Sequence, residues 1–360
     1  MKFDLEQYLN DGIAQLVKDA LRISVKNPKQ SAFFLRFTAA SKKAAKRRQK
    51  YKKDGKHIPP FLIASITEDC NLQCTGCYSQ ANHRRSESGD LSSKEWERIF
   101  NEASELGISF ILLAGGEPML RRDVIEIAAN QKDILFPMFT NGTMINDAAM
   151  HLFDTHRNLI PVISIEGGED ATDARRGEGI YKHAMEAMHS LNECGLLFGS
   201  SITVTSANLD IVTSDDFLDH LERYGCKLVL YVDYVPFEHP GLALDENGRV
   251  KLKSRIDKLR FERPEMLFIS FPGDEAESGG CLAAGRGFFH ISASGNAEPC
   301  PFSPYSDVNL YNTPLAEALD SPLFYRLHNE GILAAPHTGG CVLFEQEETV
   351  RKIISESPVL

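Results

Sequence analysis

Phe61-Leu62-Ile63-Ala64-Ser65-Ile66-Thr67-Glu68-Asp69-Cys70-Asn71-Leu72-Gln73-Cys74-Thr75-Gly76-Cys77 runs an apolar stretch directly into three cysteines spaced C-x3-C-x2-C. The apolar run has the length and β-branched content of a buried strand. The cysteines then lie at its C-terminal end, the edge where α/β sheets and barrels carry their chemistry. Soft thiolates select zinc, copper(I) or iron–sulfur clusters. A [4Fe–4S] cube takes four ligands, so three cysteines leave one iron open to a small molecule bearing an amine and a carboxylate. A structural zinc site is the alternative. It usually takes four protein ligands as two spaced pairs, and no such partner pair follows.

Outward from this stretch, short apolar runs alternate with helical patterns. Strands are expected at 61–67, 109–114, 135–139, 160–165, 198–204 and 227–235. Helices are expected near 92–106, 121–131, 146–157, 180–194, 213–224 and 245–262. Repeated strand–helix order argues for a parallel sheet with crossover helices. The predicted fold is α/β, a partial (β/α)6 TIM-like barrel with an N-terminal helical segment and a small C-terminal β-hairpin and helix module. Periodicity alone leaves an open doubly wound sheet as the alternative. The expected divisions are a basic helical segment over 1–57, the core over 58–264 and the small module over 265–360.

The triplet and the segments after the later strands together resemble the radical S-adenosylmethionine (SAM) superfamily, over roughly residues 58–240. Gly115-Gly116-Glu117-Pro118 follows the second strand and is similar to the family's GGEP motif. The resemblance implies that this segment meets the amino group of SAM. Asn141 lies in Thr140-Asn141-Gly142 after the third strand, and Ser164 and Glu166 lie in Ser164-Ile165-Glu166-Gly167 after the fourth. By resemblance Ser164 would touch the SAM ribose, whereas Glu166 stands where relatives often carry Asp. Asp173-Ala174-Arg175-Arg176-Gly177 looks like the D-x-x-R-G segment of peptide-modifying relatives, which makes Arg176 the candidate for the SAM carboxylate and Arg175 its alternative. Many members carry an aromatic just before the third cysteine; here that place is Gly76, and Tyr78 follows. The resemblance implies a [4Fe–4S] cluster on Cys70, Cys74 and Cys77, bound SAM, and reductive cleavage to a 5′-deoxyadenosyl radical that abstracts hydrogen from a substrate carbon. The protein supplies binding, orientation and exclusion of quenchers.

The tail carries Cys281, Cys300 and Cys341, each beside a Gly or Pro. Ser294-Gly295-Asn296 between apolar runs suggests a β-hairpin, and a helix is expected near 313–330. The region resembles the shortened twitch form of the SPASM extension, which implies a second Fe–S cluster on these three cysteines. Glu298, His290 and His337 are candidates for a fourth ligand. Buried thiols are the alternative, because free cysteine is often a core residue. Cys194 and Cys226 lie inside the strand–helix repeats and read as structural.

The net charge is −11, yet residues 1–57 hold 15 Lys/Arg against 5 Asp/Glu, a net of +10. An amphipathic helix followed by Lys/Arg suits either a helical cap or contact with an anionic membrane surface. Few aromatics interleave the basic run, which argues against nucleic acid. The chain has no 18-residue apolar run and no apolar leader, so a cytoplasmic location with at most surface membrane association is expected. A disulfide framework does not suit a chain of this size without a secretion signal. The expected partners are a flavodoxin- or ferredoxin-type electron donor and a peptide, protein or small-molecule substrate such as a cofactor precursor. The rivals are radical modification of a membrane lipid and, in a different class, a non-catalytic Fe–S or zinc protein.

Overall fold

The computed structural model describes residues 4–83, 89–271, 278–335 and 340–356. Two helices come first, α1 (Leu5–Ile23) and α2 (Pro28–Lys53). The strands are β1 (Phe61–Thr67), β2 (Phe110–Gly115), β3 (Phe136–Thr140), β4 (Leu159–Ser164), β5 (Gly199–Val204), β6 (Leu228–Asp233) and β7 (Leu267–Phe271). Between them lie α3 (Tyr78–His83), α4 (Ser93–Leu106), α5 (Arg122–Asn130), α6 (Asp147–Thr155), α7 (Glu169–Arg176), α8 (Ile180–Glu193), α9 (Leu209–Val212), α10 (Asp215–Arg223) and α11 (Glu246–Glu262). A short hairpin follows, β8 (His290–Ile291) and β9 (Ala297–Glu298).

All nine strands form one open sheet in the order β7-β6-β5-β4-β3-β2-β1-β8-β9. β1 to β7 are parallel, each paired with its sequence neighbour. This is the arrangement that crossover helices produce, and it puts the C-terminal ends of β1 to β6 along one rim. Strands with both faces covered read as continuous apolar runs; β4, Leu-Ile-Pro-Val-Ile-Ser, is buried throughout. The six expected strands all form, and the sheet stays open as a partial barrel. Sequence reading missed β7, which pairs with β6, and missed that β8 pairs parallel with β1 through Ile63↔His290 and Ala64↔Ile291. The hairpin forms as expected, with His290 opposite Glu298.

The basic head is a helical hairpin against the opposite end of the strands. Phe33, Phe34 and Phe37 pack with Ile13 and Val17 on Phe110, Leu135 and Ile160, residues at or beside the strand starts. α2 also docks on the turn after α4. Gly107 caps α4 at φ +91, and a Cβ there would lie 2.6 Å from the Ala44 carbonyl oxygen. Arg48 is buried and donates to the Gly107 carbonyl and to Asn10 Oδ1. Burial pushes its pKa down to about 10. Arg47 donates to the Ser104 carbonyl, while Lys42, Lys43, Lys46 and Lys50 stay exposed.

Candidate functional site

At the C-terminal rim, a cavity of about 140 Å³ is lined by Cys70, Cys74 and Cys77 together with Gly115, Gly116, Glu117, Asn141, Ser164, Arg175, Arg176 and Thr203. The expected residues Pro118 and Glu166 lie outside its wall. Pro118 opens a buried 3-10 turn, and Glu166 sits beneath the arginines.

The cysteine loop is held by its neighbours. Gly76 turns at φ +65, a conformation that favours glycine. Thr75 N–H donates to the Arg175 carbonyl, 2.9 Å away. Asn141 donates to Asn71 Oδ1 at 2.8 Å and fixes the loop to the end of β3. Burial pushes the Cys70 thiol up to about 11, and burial also raises Cys74, opposed by nearby Arg176. Among the described residues, no three His, Cys, Asp or Glu side chains stand close enough to hold a single metal ion. A cluster spreads its thiolates over separate irons, so three cysteines facing one cavity match that donor set better than they match zinc.

Gly115 and Gly116 serve a close backbone approach. Cβ atoms there would lie 2.3 Å from the Thr67 carbonyl and 2.0 Å from the Asp69 carbonyl. The contact draws the start of the cysteine loop onto Glu117, whose N–H donates to Asp69 O at 2.8 Å. Glu117 is 1% exposed. Its Oε1 accepts from Met119 N–H at 3.0 Å and Thr140 Oγ1 at 2.8 Å, and its Oε2 accepts from Asn141 N–H at 2.8 Å. Burial raises its pKa, opposed by these donors. One lone pair of Oε2 stays available to a cation in the cavity.

Glu166 is 2% exposed and gathers both arginines. Arg176 reaches Oε1 with Nε at 3.0 Å and a terminal nitrogen at 2.6 Å, and Arg175 bonds the same oxygen. Oε2 accepts from Thr203 N–H at 3.1 Å. The longer carboxylate at 166 thus anchors the arginines from below, while both still face the cavity. Asn208 takes a turn role, accepting from Thr205 N–H at 2.7 Å. Asp173 accepts from the N–H groups of Gly179 and Tyr181, each at 2.7 Å.

Sequence reasoning missed the end of β6. Val232, Asp233, Tyr234 and Val235 all line the cavity. The only sequence signal was an Asp-Tyr pair breaking an apolar strand at the reactive rim.

Cys281, Cys300 and Cys341 all line a second cavity of about 680 Å³, whose wall is otherwise mostly apolar and draws on α1, α2, the strands and the tail residues Leu282, Phe288 and Phe302. Phe302 lines both cavities. Tyr78 lines the rim cavity and packs edge-on against Phe302, ring centroids 5.4 Å apart; burial raises its hydroxyl pKa, with Cys77 and Cys300 both adding to the effect. Of the fourth-ligand candidates, His290 has both ring nitrogens engaged, with Ser65 Oγ and Glu298 Oε2 each at 2.7 Å. That leaves it no nitrogen for a metal. His337 lies outside the described residues. Cys226 is buried and bonded to the Leu228 carbonyl, whereas Cys194 is exposed at the end of α8.

Residues 64–230 match the family model described as the Radical SAM superfamily. Fe-coproporphyrin III synthase of Methanosarcina barkeri is 32% identical over 190 residues, 51% of this chain. This chain spans only 46% of that protein's length. AdoMet-dependent heme synthase of the same organism is 25% identical over 295 residues, 74% of this chain and 84% of that protein. Streptococcus suis SuiB, solved bound to its precursor peptide SuiA, shares the fold with a TM-score of 0.64 at 18% identity, over 87% of this chain and 77% of SuiB.

Proposed function

We propose that this chain is a radical SAM enzyme, as the match of residues 64–230 to that superfamily's model supports, that Cys70, Cys74 and Cys77 hold a [4Fe–4S] cluster and that the adjoining cavity binds SAM. The observation that carries the reading is the convergence of these three cysteines with Glu117, Asn141, Ser164 and Arg176 on one cavity. When bound, the cluster and SAM supply a reductively formed 5′-deoxyadenosyl radical for hydrogen abstraction. Glu117 offers its remaining Oε2 lone pair to the SAM ammonium. Arg176, held from below by Glu166, directs its charge at the SAM carboxylate. Gly115, Gly116 and Pro118 fix the path that aims Glu117.

The proposed substrate is a peptide or a cofactor precursor. AdoMet-dependent heme synthase, matched over most of its length, and SuiB, which has a precursor peptide in its structure, support that class. A second cluster on Cys281, Cys300 and Cys341 is proposed from their shared cavity wall. A flavodoxin- or ferredoxin-type protein would deliver the electron. No described helix is long and apolar enough to cross a membrane. The exposed lysines of α2 are the proposed contact for an anionic membrane surface, tested by cosedimentation with anionic vesicles. The enzymatic reading is tested by reductive formation of 5′-deoxyadenosine.

A further inference from the structure

Tyr234 follows β6 and is 4% exposed. Its hydroxyl is buried, yet among the described residues it has no hydrogen-bond partner. It lies against the cysteine loop: a Cβ on Gly76 would sit 2.5 Å from the Tyr234 hydroxyl and 2.9 Å from its Cε2. The ring edge therefore takes the space that a side chain at 76 would need, between Cys74 and Cys77. Tyr234 also lines the same cavity as all three cysteines.

Buried hydroxyls in native proteins are almost always satisfied, because leaving one unpaired carries its full desolvation cost. Among the described residues no acceptor meets it, so the acceptor arrives with the group that fills the cavity. The hydroxyl sits within the cysteine loop itself, which places it beside the cluster. We infer that the Tyr234 hydroxyl donates a hydrogen bond to an inorganic sulfide of the cluster on Cys70, Cys74 and Cys77, and so sets that cluster's reduction potential. The inference rests on the cluster assignment above. A donor to a cluster sulfur stabilises the more negative reduced state and raises the potential. Tyr234 is thus the aromatic that replaces, from the start of the loop leaving β6, the one absent at position 76.

The test is Tyr234→Phe in the full chain, which keeps the ring and removes only the hydroxyl. After anaerobic reconstitution, the first cluster is identified as the signal lost in Cys77→Ala, and its potential is measured without SAM. Tyr234→Phe should retain its iron and titrate at a more negative potential than wild type. Iron-free Tyr234→Phe should melt at or above the wild-type temperature, because an unpaired buried hydroxyl has been removed. An unchanged potential overturns the inference, as does a shift that appears only when SAM is added, which would assign the hydroxyl to SAM. A clear fall in the melting temperature of the iron-free variant also overturns it, by exposing a structural partner. Wild-type protein with no Cys77-dependent cluster overturns the cluster assignment together with the inference.

Discussion

His290 Nε2 lies 2.7 Å from the Ser65 hydroxyl, and this contact joins the tail hairpin to the strand that leads into the cysteine triplet. The other ring nitrogen is 2.7 Å from Glu298 Oε2, two residues before Cys300. A buried polar chain thus runs from β1 through His290 to the hairpin that carries Cys300, and buried networks of this kind are costly when half-satisfied.

This chain predicts how iron is distributed. Wild-type protein should bind about eight irons, and the Cys70/Cys74/Cys77→Ala variant about four. The Cys281/Cys300/Cys341→Ala variant should also retain about four, those of the triplet. His290→Ala leaves Ser65 and Glu298 without their partner and should lower the count towards four by loosening the hairpin that carries Cys300. Iron analysis and spectroscopy of the four proteins check this. A wild-type count near four would make the tail cysteines ordinary thiols.

Glu117→Ala should keep the triplet cluster and weaken SAM binding. A charge-assisted hydrogen bond of this kind contributes roughly 1.5–3 kcal/mol, so the loss should be on the order of tenfold or more. Equilibrium dialysis of SAM against the reconstituted variant measures it. Unchanged affinity would remove Glu117 from the ammonium site.

Glu166→Ala removes the carboxylate that pairs both Arg175 and Arg176. Breaking a buried pair from one side costs roughly 3–5 kcal/mol, because the remaining charges lose their compensation. Urea unfolding should report a loss of that order. A variant as stable as wild type would mean that water reaches the arginines freely.

The six expected strands were legible because strands covered on both faces are written as apolar runs between turn residues. Most of the rim site was legible for the same reason: the cysteine triplet, residues 115–118, Asn141 and Ser164 lie at or directly after strand ends, whereas Arg175 and Arg176 lie on α7. What stayed hidden depends on contacts far apart in the chain. Nothing near Ile63 announces that His290 will pair beside it, and nothing near Gly76 announces the Tyr234 ring. Arg176 reads from sequence as a cofactor ligand, while its pairing with Glu166 needs the loop after β4 folded against α7. β7 escaped because Leu267–Phe271 is a short run at the point where the tail was taken to begin.

The Cys70 thiol is pushed up to about 11 from an ordinary 9.0 by burial. A raised folded pKa means the native state holds the proton more tightly. The associated stability is fully present below about 9 and is lost as pH rises through about 11. Iron-free protein should therefore alkylate slowly at Cys70 at neutral pH and lose stability in that alkaline window. Cluster assembly should release protons and become more favourable as pH rises. Mass-spectrometric alkylation rates against pH check the first point; a neutral-pH rate equal to that of free cysteine would contradict it.

Incubating anaerobically reconstituted protein with SAM and a strong reductant, and measuring 5′-deoxyadenosine, decides whether the triplet carries a cluster that cleaves SAM. Wild-type protein should give 5′-deoxyadenosine and methionine in equal amounts, and the Cys70/Cys74/Cys77→Ala variant neither. Tight zinc binding with no iron-dependent cleavage of SAM would contradict the cluster assignment.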